Sequence, residues 1–171
     1  MANERGTPLK AKGSNRVVKG IPALPAGESG SPAIFALVRR HWLEAAQSYF
    51  KSGKEELRFS SSSRDLRAAL ELVHTIERIY FKAIGDNEIS FRARFLSIET
   101  DDPSRRRLPK YDETSKLWMG RYYYGFCDLS EVKPGIAITS LRRYGSGKSL
   151  RNDQRCACVI YDIATALAQL R

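Results

Sequence analysis

From Ile89 to Phe95 the chain alternates strictly: Ile89, Phe91, Ala93 and Phe95 occupy one parity, Ser90, Arg92 and Arg94 the other. Such a pattern is an extended strand with one apolar and one cationic face, because successive side chains of a strand point to opposite sides. Gly85-Asp86-Asn87 just before it is turn chemistry, and residues 79–83 before that are β-prone, so 79–98 predicts a hairpin. The Arg92 and Arg94 face must then lie outside the core.

The other elements follow from shorter signals. Ala33-Ile34-Phe35-Ala36-Leu37-Val38, behind Gly30-Ser31-Pro32, suits a buried strand at a domain edge. Residues 41–51 place Trp42, Ala45, Ala46, Tyr49 and Phe50 at helical spacing, and Gly53 is the stop signal. Ser60 to Ser63 makes a polar break, and Ser62 with Asp65 fits a capping box for a second helix with a Leu66, Ala69, Leu70 and Val73 stripe. After a charged loop over 101–116, strands are expected near 121–127, 136–141 and 155–161, and a closing helix over 163–170. This order predicts an α+β domain built on a curled antiparallel sheet or small β-barrel with two or three flanking helices. Residues 1–32, rich in Gly, Pro, Ala, Ser and Lys without periodicity, read as a flexible basic N-terminal arm, and 33–171 as a single domain.

Charge narrows the partner. The formal net charge of +10 and a pI near 9.7 favour association with polyanions. Residues 101–151 hold 11 Lys and Arg against 6 Asp and Glu, so half of the surplus lies in under a third of the chain. Without a long apolar span or a cationic amphipathic helix, nucleic acid, DNA or RNA, is the expected polyanion and a membrane is not. The opening residues lack the apolar stretch of a secretory signal, and three cysteines, Cys127, Cys156 and Cys158, suit a reducing cytoplasm. Cys156-Ala157-Cys158 lacks the two-residue gap of a zinc or redox pair, so small buried thiols are expected, with no metal and no cofactor.

Rings sit among the cations. Trp118-Met119-Gly120-Arg121-Tyr122-Tyr123-Tyr124 is followed by Arg142-Arg143-Tyr144-Gly145-Ser146-Gly147-Lys148, and Trp42 follows Arg39-Arg40-His41. Cations hold phosphates and an exposed ring stacks a base for roughly 1–3 kcal/mol. On a strand Tyr123 faces away from Tyr122 and Tyr124, so the three tyrosines divide between core and surface. Catalytic motifs fare worse. Gly145-Ser146-Gly147-Lys148-Ser149 has Arg142 where a P-loop needs its first glycine. Glu131 and Lys133, which with Asp128 or Asp112 could imitate a metal-dependent nuclease, precede Pro134-Gly135 in an expected solvated turn. His41 and His74 have no partnered nucleophile at a recognisable spacing.

The element order resembles the PUA-like superfamily and, within it, the EVE and YTH type of domains that read modified bases. The resemblance rests on the strand from Ile34 running into His41-Trp42, the hairpin over 79–98, and Arg121-Tyr122-Tyr123-Tyr124-Gly125-Phe126-Cys127-Asp128-Leu129 followed by Lys133-Pro134-Gly135-Ile136 and Leu141-Arg142-Arg143. A Gly-Asp turn common before the central strand of EVE domains is replaced here by Glu77-Arg78. The resemblance implies an aromatic cage of Trp42, Trp118 and Tyr123, with Arg39, Arg40, Arg142, Arg143 and Lys148 on phosphates. The sequence thus predicts a noncatalytic nucleic-acid reader in which Arg92, Arg94 and Arg121 also contact the strand. A small basic nuclease and a protein-interaction module working through helices over 41–73 are the competing readings.

Overall fold

The computed structural model describes residues 30–100 and 121–164. Six strands form one mixed sheet in the order β2-β5-β4-β3-β1-β6: β1 Pro32–Val38, β2 Leu57–Ser61, β3 Arg78–Ala83, β4 Glu88–Thr100, β5 Tyr122–Ala137 and β6 Cys158–Tyr161. Two helices, α1 Arg40–Lys51 and α2 Arg67–Glu71, accompany it, and short 3₁₀ turns lie at Arg64–Leu66 and Ile138–Ser140. The architecture is the expected α+β curled sheet. Its curl has a local cause: the β4 and β5 ladder shifts register at three places, and each bulge bends and twists the pair.

The sheet is not wholly antiparallel, because β1 pairs in parallel with β3, Ile34 opposite Ile79 and Val38 opposite Ala83. Parallel neighbours need a long crossover, which α1, β2 and α2 provide. Nor is β1 an edge. It lies between β3 and β6, and its near-continuous apolar run serves both faces. Ile34, Ala36 and Val38 join the larger core, and Ala33 and Phe35 the smaller one on the opposite face.

The larger core collects Leu43 and Ala46 of α1, Phe59, Phe81, Tyr124 and Phe126, with Trp42, Tyr49 and Phe50 packed against it. Helix α1 ends as its sequence predicts: Gly53 at φ +85° donates to the Phe50 carbonyl. The smaller core joins Phe35, Tyr80, Ile89, Ile136, Leu141, Leu150 and Ile160.

Several expectations are corrected. The second helix is shorter than its stripe: a 3₁₀ turn at Arg64–Leu66 runs into α2, which has only five residues, and residues 57–61 ahead of it form an unexpected strand, β2, pairing Leu57 with Phe126 and Ser61 with Tyr122. The proposed capping box does not form, since Ser63, not Ser62, precedes the 3₁₀ turn and its hydroxyl donates to the Ala157 carbonyl. The strand expected over 121–127 instead runs on to Ala137 as β5, and of the one expected over 136–141 only Ile136 and Ala137 are in a strand, the 3₁₀ turn at Ile138–Ser140 following. Between the pairs Phe91 with Glu131 and Ile89 with Ile136, the extra residues bow out of the ladder, so a bulge absorbs the Pro134-Gly135 turn chemistry. Gly135 lets Glu88 approach: a Cβ there would meet the Glu88 carboxylate carbon at 2.3 Å. Strand β6 is shorter than 155–161, and the helix expected to 170 lies beyond the described residues except at its start. The arm over 1–32 likewise lies outside them save its last three residues.

Among the cysteines, Cys127 and Cys158 are buried, but Cys156 is exposed because β6 begins only at Cys158. Burial pushes the Cys158 thiol up to about 11 and also raises Cys127. Iodoacetamide at neutral pH is therefore expected to label Cys156 rapidly in the native protein and to reach Cys127 and Cys158 only after denaturation. Peptide mass spectrometry checks this, and fast native labelling of Cys158 would contradict the placement of β6.

Candidate nucleic-acid interface

The alternation of β4 carries Phe91, Ala93 and Phe95 toward the larger core and turns Arg92 and Arg94 to the opposite face. Strand β3 lies antiparallel beside it, with Arg78 opposite Arg94 and Tyr80 opposite Arg92. Three arginines are thereby gathered on one side of two neighbouring strands. A groove of about 500 Å³ opens there, lined by Ile76, Glu77 and Arg78, by residues 92–95 of β4, and by Asp128 and Ser130 of β5. Arg92 and Arg94 were legible as a cationic face; Arg78 was not singled out, and only its register with Arg94 reveals it.

The three guanidiniums are held differently. Arg78 donates to Asp162 at 2.7 Å, and the Asp162 side chain is only 6% exposed. Asp162 also accepts from the Tyr80 hydroxyl at 2.7 Å and the Ala164 amide at 2.8 Å. The bond to Asp162 raises Arg78 above the ordinary guanidinium range, and burial together with Asp162 keeps the Tyr80 hydroxyl protonated as a donor. Arg94 Nε donates to Cys127 Sγ at 3.1 Å and to Asp128 at 3.0 Å. Those two contacts raise Arg94, the sulfur first, yet burial keeps Cys127 a neutral thiol, so the charge opposite Arg94 at neutral pH is that of Asp128. Among the described residues, the one hydrogen bond from the Arg92 side chain goes to the Ser130 hydroxyl, at 3.5 Å.

Asp128 has φ +55°, the only positive φ outside glycine among the described residues. It lies just past Cys127 where the ladder is irregular, and the left-handed turn sets its carboxylate beside Arg94.

Other expected contacts are dispersed. Arg39 is exposed at the start of α1, and Arg40 pairs with Asp86 of the β3 to β4 turn. Arg142, Arg143 and Lys148 lie on a small hairpin in which Arg142 bridges Ser149 and Gly145 and Gly147 take φ +79° and +64°. This is a glycine turn with cations, not a P-loop. Arg143 donates to Asp65 at 2.7 Å, which raises its pKa, and Arg142 to the Gly147 carbonyl at 3.2 Å. Arg121 is exposed ahead of β5.

The implied cage does not assemble from Trp42 and Tyr123. Tyr122 and Tyr124 enter the larger core, against which Trp42 packs, so Tyr123, between them on the strand, points to the other face. Trp118 lies outside the described residues. Glu131 and Lys133 form an ion pair on β5 instead of in a turn, which holds Glu131 below the usual carboxylate range. Among the described residues no three His, Cys, Asp or Glu side chains converge as metal ligands, and no helix is long and apolar enough to cross a membrane.

No family model and no curated protein matches this chain. Among solved structures, the YTH domain of Zygosaccharomyces rouxii MRB1 protein, determined in complex with N6-methyladenosine RNA, aligns at TM-score 0.44 and 13% identity, covering 90% of this chain and 91% of that chain. So loose a likeness assigns nothing to this protein. What the groove can do is set by its own residues: it offers cations on two strands and the Ser130 hydroxyl. Its volume falls within the roughly 300–1,000 Å³ typical of ligand pockets.

Proposed function

We propose that this protein binds single-stranded nucleic acid through the groove over β3, β4 and β5. The observation that carries the reading is the convergence of Arg78, Arg92 and Arg94 on one groove of a chain with net charge +10. Arginine forks match phosphate oxygens, and their planes stack on bases, so one residue type serves both halves of a nucleotide. An unstacked base would lie against those guanidinium planes, and selection among base modifications is the finer part of the proposal. The exposed cations Arg39, Arg121 and Lys148 would add sequence-independent attraction at longer range.

Fluorescence anisotropy with single-stranded and duplex RNA and DNA, with and without methylated bases, tests this across a salt series. Single strands are expected to bind more tightly than duplexes and to remain uncleaved with or without Mg²⁺, with log affinity falling linearly against log salt. Absence of binding at about 50 mM salt, where phosphate contacts are strong, would overturn the proposal. Cleavage would replace it with a nuclease.

A further inference from the structure

The three groove arginines are not equivalent, and the difference lies in what opposes each of them. Arg78 faces a carboxylate that is itself buried and holds Tyr80 and the Ala164 amide as well. Pulling Arg78 away would strand a charge beneath the surface, so this pair does not open easily. Arg94 faces Asp128, and both side chains are about two-thirds exposed, at 66% and 68%. Exposed pairs of this kind carry little net energy and exchange readily with other ions. Arg92 has no carboxylate within ion-pair distance among the described residues, and only the Ser130 hydroxyl neighbours its Nε.

We propose that Arg92, with the Ser130 hydroxyl, is the seat of a phosphodiester in this groove, and that Asp128 is a built-in stand-in for a second phosphate, released from Arg94 when nucleic acid enters. This rests on the nucleic-acid reading above and specifies its contacts. The Nη edges of Arg92 and Arg94 have no partner among the described residues, which leaves each fork open to two phosphate oxygens. Arg94 lies two residues from Arg92 on one face of β4, so successive phosphates of one strand can be met along the groove. Asp128 tunes this: its carboxylate repels a polyanion until Arg94 changes partner. Arg78 acts as a fixed wall and not as the anchor.

The test measures salt-dependent binding of a short fluorescein-labelled oligouridylate and oligodeoxythymidylate to single variants. Arg92→Gln is expected to weaken binding about tenfold, since a hydrogen bond to a charged group contributes on that order, and to lower the log-log salt slope by about 1. Arg92→Lys should keep the slope while losing affinity, because the charge remains and the fork is gone. Asp128→Asn, which tolerates the same left-handed backbone, should tighten binding and steepen the slope. Thermal melting of each variant close to that of the parent protein shows that the fold is intact.

If the parent protein binds and Arg92→Gln leaves affinity and slope unchanged, the seat is wrong while the broader function stands. Weaker binding by Asp128→Asn would overturn the stand-in role. Failure of the parent protein to bind either oligonucleotide would remove both proposals.

Discussion

Replacing Phe126 with alanine is expected to destabilise the protein by about 3–5 kcal/mol. The ring is fully buried at the middle of β5, paired with Leu57 of β2 on one side and Phe95 of β4 on the other. It meets Phe59 at 5.0 Å, Phe81 at 5.1 Å and Phe50 of α1 at 5.8 Å between centroids, all inclined at 56–62°. Inclined ring pairs contribute roughly 0.5–1.5 kcal/mol each beyond area burial, so one truncation removes three of them and leaves a cavity under the helix. Close packing prevents the strands from collapsing into that space. Urea unfolding should show the midpoint falling with the slope unchanged, and the melting temperature should drop by roughly 10 °C. Phe126→Leu should lose far less, because it keeps most of the volume. A loss for Phe126→Ala under about 1 kcal/mol would mean that the ring cluster does not organise the core.

That ring cluster also shows what a single sequence can and cannot display. The alternation over 89–95 and the turn at Gly85-Asp86 are local, and the hairpin forms with the expected strands; Phe91, Ala93 and Phe95 share the expected face, but Ile89, on the other side of a register shift, joins the smaller core. Helix α1 was legible for the same reason, since its stripe and its Gly53 stop lie within one segment. Strand β2 was not, because Leu57 to Ser61 is short and polar at its end, and it becomes a strand only by pairing with the tyrosine-rich β5. The parallel pairing of β1 with β3 is likewise a long-range fact. In the groove, the parity of Arg92 and Arg94 was visible, but Arg78, Asp128 and Asp162 depend on cross-strand register and on a chain segment that returns from far away. Of the cage of Trp42, Trp118 and Tyr123, Trp118 lies outside the described residues, and the side to which Tyr123 turns is a matter of faces, which a two-residue period fixes only once the strand's neighbours are known.

The return of that distant segment makes Asp162 the second position of large effect. Asp162→Ala is expected to cost about 3 kcal/mol, mostly because the fully buried Tyr80 loses its acceptor and an unsatisfied buried polar group costs roughly 1–3 kcal/mol. Loss of the bond from the Ala164 amide adds about 1 kcal/mol, as for a missing side-chain cap. Leaving Arg78 without this partner adds little, because its side chain is 38% exposed and water can solvate the guanidinium once Asp162 is gone. Asn in place of Asp162 keeps an oxygen for Tyr80 and for the amide, so it should cost markedly less than alanine. Tyr80→Phe separates the contributions: combined with Asp162→Ala it should cost less than the sum of the two single changes, since the hydroxyl is then no longer left without a partner. Strict additivity in denaturant unfolding would show that Tyr80 and Asp162 are not coupled, and the unpartnered hydroxyl would lose its place as the main cost of Asp162→Ala.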